Sequence, residues 1–146
     1  MYRRPLGRPR VIAVLAALVM LVGCVLPWWA SSGPAGLPGL SGNAFEGSGI
    51  VVFIVAIGVL GLVTLPYAMG DRPTALDSWL SYLLLAGVAW LGLIARVVDL
   101  AMQSAFVFRS PDELFTHGPG LLLSVLGLIM LSEAVFEMAR DRRCPR

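Results

Sequence analysis

The sequence predicts an all-α integral membrane protein, a bundle of four transmembrane helices. Three observations predict it. The 146 residues are 58% hydrophobic and 14% charged. An average soluble domain carries about 25% charged residues, so too little polar surface remains here to coat a soluble globule. Four apolar runs are each long enough to cross roughly 30 Å of hydrocarbon, which takes about 20 helical residues. The runs are continuous, whereas a transmembrane barrel needs alternating strands of about 10 residues. Helices also satisfy backbone groups to which lipid offers no partner.

The expected spans are 11–29, 50–69, 79–102 and 121–139. Residues 1–146 then form a single transmembrane domain, with basic cytoplasmic tails at 1–10 and 140–146. Orientation follows from the arginines, since the chain has no lysine. With four crossings, both tails and the second loop share one side. That side holds Arg3, Arg4, Arg8, Arg10, Arg72, Arg140, Arg142, Arg143 and Arg146. The first loop has no arginine and the third has only Arg109. Positively charged loops stay inside, so N- and C-termini are expected in the cytoplasm. Trp28, Trp29, Tyr67 and Trp79 fall near span ends, where amphipathic rings settle.

The first span begins with a basic head, and Leu21-Val22-Gly23-Cys24 resembles a bacterial lipobox. The apolar run continues past Cys24 through Val25-Leu26-Pro27-Trp28-Trp29, so a retained span is the reading taken. Cys24 is then a small packing residue. The following loop, rich in Gly, Pro and Ser, is not expected to form long regular structure. Thr74 and Asp77 fit a capping box opening the third helix. Ser110, Pro111 and Glu113 predict a short extracytoplasmic helix at about 111–116. GSGIVV (47–52) against GPGLLL (118–123), and VLGLVTL (59–65) against VLGLIML (125–131), hint at a duplicated helical hairpin.

The third span carries charge. At 100° per residue, Ser78, Ser81, Leu85, Ala89, Gly92, Arg96, Asp99 and Gln103 share an arc of roughly 80°. Trp79, Leu83, Trp90, Ile94 and Val97 lie opposite and are expected to meet lipid. Small residues on the inward stripe allow close helix approach. Arg96 is then about 8 Å outward of the span centre and Asp99 about 13 Å. Arg96, Asp99, Gln103 and Glu46 make a candidate intramembrane polar site. Its structural version is an Arg96–Asp99 pair pinning the helix; its functional version is a pocket for an anionic group such as a lipid phosphate.

Glu133, Glu137, Arg140 and Arg72 form a candidate charge cluster at the cytoplasmic end, with Arg10 a further partner for Glu133. Glu133 is expected 15–20 Å in depth from Arg96, on the other side of the bilayer, at roughly 1.5 Å per residue. Gly92, Ala89, Gly120, Ser124 and Gly127 are the candidate helix-packing face, within the bundle or with another subunit.

Motifs for chemistry are missing. His117 is the single histidine, and Cys24 and Cys144 form no CxxC pair. No metal site, haem pair, nucleophile elbow or nucleotide-binding loop is expected, hence no catalytic residue and no cofactor. The arginine tails set orientation and touch anionic lipid rather than nucleic acid.

LPWW (26–29) followed by SGNAFEGSGIVVF (41–53) resembles a loose group of small four-span membrane proteins of GC-rich Gram-positive bacteria. The resemblance covers residues 1 to about 70. It implies a bacterial plasma-membrane location and assigns no activity or site residue. The functional expectation is a non-enzymatic accessory or scaffold subunit, with membrane lipids and a protein partner or a homo-oligomer as its contacts. The alternative is a small transporter or a lipid- or anion-binding module using the third-span stripe.

Overall fold

The computed structural model describes residues 7–31, 40–68, 78–102 and 118–143. Among them the chain forms four α-helices and one two-stranded sheet. The helices are α1 (Arg8–Val25), α2 (Ile50–Ala68), α3 (Trp79–Met102) and α4 (Pro119–Arg143). The strands are β1 (Trp29–Ser31) and β2 (Leu40–Gly42). Three helices are long and apolar enough to cross a membrane: α1, α3, and α4 over Pro119–Asp141. The apolar part of α2, Ile50–Pro66, is shorter.

The predicted 11–29 span is corrected at both ends. The helix starts at Arg8, because Pro9 suits a first turn where its missing N–H has no acceptor to lose. It stops at Val25, because Pro27 drives Leu26 into extended backbone (φ −71°, ψ 155°). Trp29 then enters a strand rather than ending a helix. The strands pair antiparallel, with Trp29 opposite Gly42 and Ser31 opposite Leu40. Three residues each is short, as a Gly/Pro/Ser-rich loop permits, but the pairing itself was not expected. The predicted 121–139 span is longer, since Pro119 fits the first helical position and the helix formers Met138, Ala139 and Arg140 carry it on. The third span is helical throughout the predicted residues. The expected helix at 111–116, the capping residues Thr74 and Asp77, His117 and Cys144 lie outside the described residues.

The helices pack as a ring in sequence order: α1 touches α2 and α4, and α3 touches α2 and α4. The contact between α1 and α4 is the most extensive. Its buried side on α1 is Ala13, Ala16, Ala17, Met20, Gly23 and Cys24, a 3.6-residue stripe of mostly small groups. Val52, Val55, Ala56 and Val59 from α2 and Tyr82, Ala86 and Ala89 from α3 complete the interior.

One end of the bundle is closed by the hairpin. Trp28 is fully buried there, and its Nε1 donates to the Gly23 carbonyl at 2.9 Å. Its backbone N donates to Gly42 O (2.8 Å), and Gly120 N donates to Pro27 O (3.0 Å). The end of α1, the hairpin and the start of α4 are thus stitched together. Trp28, expected near a span end, lies there with its ring turned inward by the turn that Pro27 imposes. Trp29 is half-buried.

Candidate functional site

Arg96 lies on the inward side of α3 with Tyr82, Ala86, Ala89, Gly92, Leu93 and Leu100. Its residue is 4% exposed, which is exceptional for a guanidinium. Nη1 donates to Asp99 Oδ2 at 2.8 Å, the i,i+3 pairing the helix geometry allows. Asp99 is half exposed. Arg96 is roofed by the loop ahead of α2. A Cβ on Gly47 would stand 2.8 Å from Nη1, and Gly47 has φ +122°, so glycine is required there for both space and backbone. Arg96 Nε is buried and makes no hydrogen bond among the described residues.

Glu46 does not join this pair among the described residues. It is exposed, and its Oε2 lies against the Gly42 backbone beside Trp29 Nε1. Gln103 lies outside the described residues. Among the described residues the site is an ion pair beneath a glycine roof. Arg96→Ala removes the side chain that fills this space, and the expected loss of stability is about 2 kcal/mol. Arg96→Met keeps most of the volume and should lose less. Unfolding by SDS titration in mixed micelles reads both; equal midpoints for wild type and Arg96→Ala would remove the structural role.

The described residues of the second cluster lie on α4, with Glu133 and Glu137 beside Trp90 and Ser132. Ser132 Oγ accepts from Trp90 Nε1 at 3.1 Å and donates to Leu128 O at 2.8 Å. Trp90, expected on the outward back of α3, is half-buried and ties α3 to α4. Its flat side chain reaches round the helix edge to the hydroxyl, which a helical-wheel angle does not convey. Leu83 and Ile94 on the same predicted back are exposed. Beside Trp90 opens a groove of about 540 Å³, lined by Trp90, Ile129, Ser132, Glu133, Phe136 and Glu137. Glu133 and Arg140 are exposed and Glu137 is half-buried. Among the described residues neither glutamate forms an ion pair, although Arg140 lies one turn beyond Glu137. Arg72 lies outside the described residues.

The candidate packing residues fall on two seams. Ala89 and Gly92 are buried on α3, where a Cβ on Gly92 would reach Val51 Cβ at 2.8 Å. Gly120, Ser124 and Gly127 face α1. A Cβ on Gly127 would lie 2.9 Å from Ala16 O, and one on Gly23 would lie 2.7 Å from Ser124 Oγ. These residues are consumed within the chain. Gly23 was not singled out from sequence. The signal was available: Ala16 and Gly23 are spaced like Gly120 and Gly127, so two small-residue pairs can face each other across antiparallel helices.

Cys24 is fully buried in α1, and its carbonyl accepts from Ala44 N at 3.4 Å. Among the described residues no three His, Cys, Asp or Glu side chains come together as metal ligands would. No protein-family model matches the chain, and no curated protein or solved structure matches it.

Proposed function

We propose that this chain is a four-span protein of a bacterial plasma membrane, both termini cytoplasmic, that acts as a non-enzymatic accessory or scaffold subunit. Three long apolar helices support the membrane location. The exterior supports it too. Leu84, Leu91 and Phe136 are each about 70% exposed, and Ile54 and Val25 are at least 60% exposed. A soluble surface rarely carries so continuous an apolar coat. The fourth crossing rests on α2, whose nineteen residues reach about 28 Å at 1.5 Å per residue. The arginine distribution supports the orientation. The likeness of 26–29 and 41–53 to small four-span proteins of GC-rich Gram-positive bacteria points the same way.

The observation that carries the accessory role is the groove between α3 and α4. It leaves two carboxylates on a side of the bundle that the described residues do not cover. Arg96 under Gly47, by contrast, is buried and already paired with Asp99, which favours a structural use over an anion pocket. The small-residue seams are occupied internally, so association through them has no support. Photo-crosslinking from outward positions in intact membranes, followed by mild-detergent extraction, tests the role. The expected result is a defined crosslinked complex. A clean monomer with no protein adduct from any outward position would overturn it.

A further inference from the structure

We infer that the α3–α4 groove receives a transmembrane helix of a different protein, one carrying a lysine or arginine near its middle. The inference rests on the membrane-subunit reading above and names the partner's chemistry. Depth is the first argument. Trp90 is the middle of the 24-residue α3, and its hydrogen bond to Ser132 brings that level of α4 to the same height. Counting along Pro119–Asp141 independently, Glu133 is three residues from the middle, about 5 Å at 1.5 Å per residue. Glu133 is therefore closer to the bilayer centre than a place at the cytoplasmic end implies. An ionised carboxylate there costs roughly 2.5–3.5 kcal/mol against lipid. An exposed Glu133 with Glu137 one turn below is stable in that position when a cation from a neighbour meets it.

Among the described residues the chain does not bring that cation to this level. It has no lysine, and every described arginine except Arg96 lies in the terminal turns of a helix. Arg96 lies about 8 Å to the other side of the α3 middle. It is buried against Asp99 and Gly47. A second copy would set carboxylates against carboxylates at this depth. Charge complementarity thus selects a foreign helix. Trp90 and Phe136 both line the groove, and Phe136, 73% exposed, offers a large aromatic contact to a neighbouring helix.

The test places a photo-crosslinking residue at Phe136 in the full-length protein in its native membrane, with a second at Ile54 on α2 as reference. The expected product from position 136 is an adduct to one membrane protein, on a helix whose sequence contains a mid-span lysine or arginine. Glu133→Gln should cut its yield about tenfold, in line with a lost interhelical polar contact. Glu133→Lys should abolish it, and changing the partner's basic residue to Glu should restore it. Glu133 is exposed, so these variants leave the bundle intact; an unchanged adduct pattern at Ile54 checks this. Adducts to lipid alone, to a second copy, or to a helix lacking a basic residue would overturn the groove assignment, as would a yield insensitive to Glu133→Gln. If position 136 gives none of these while Ile54 captures a protein, only the groove assignment falls. If no position captures a protein, the accessory-subunit reading falls with it.

Discussion

Gly120→Val should be among the most damaging single substitutions in this chain, lowering stability by about 3 kcal/mol or more. A Cβ at position 120 would stand 2.5 Å from both Gly23 O and Leu26 O, and 2.8 Å from Trp28 Cδ1. Two of these three obstacles are backbone carbonyls. They cannot rotate away as a side chain would, so α1 and α4 must separate. Separation also stretches the Gly120 N to Pro27 O hydrogen bond and loosens the most extensive helix contact in the bundle. Gly87→Val is the control. A Cβ at Gly87 meets nothing within 4 Å, so its effect should stay within about 0.5 kcal/mol. SDS-titration unfolding in mixed micelles compares the two. Equal midpoints would mean that α1 and α4 do not meet along this seam.

Trp28→Ala should cost about 3–5 kcal/mol, the range for emptying a buried large aromatic site. The side chain is fully buried, and it links Gly23 through Nε1. Its backbone holds the hairpin through Gly42. Trp28→Phe keeps most of the ring and loses the Nε1 hydrogen bond, an expected loss of about 1 kcal/mol plus a small void. The ordering discriminates between two places for this residue. A tryptophan lying at a membrane interface would make Phe nearly neutral and Ala mild. A large Ala effect with an intermediate Phe effect requires the buried position.

Much of the secondary structure was legible because it depends on local chemistry. The course of α3 follows from a long, mostly apolar run that opens at Trp79, and the end of α1 follows from Pro27 acting on Leu26. Applying the proline rule strictly would have ended that helix at Val25 without a structure. The i,i+3 relation of Arg96 and Asp99 was legible for the same reason, since helix geometry alone brings them within reach. The roof over Arg96 was not. Nothing local links position 47 to position 96; the chain must turn at Gly47 and lay α2 against α3 before the two meet. Glu46, one residue from that roof, was a reasonable partner by sequence, yet its side chain turns toward Gly42 and Trp29.

The sequence by itself determined that this is a helical, apolar chain with a small-and-polar side on α3 and glycines spaced for close packing on α4. Those properties depend on composition, period and proline, which act within a few residues. Tertiary structure decided which residues are hidden: Trp28 inside the hairpin end, Trp90 bonded across to Ser132, Gly120 and Gly127 spent on α1, and Glu133 left open beside a groove. The reason is that interior and exterior of such a bundle are both apolar. Hydrophobicity then carries little information about which side of a helix faces in. Shape and hydrogen bonding decide it, and both come into being only when a particular neighbour is in place.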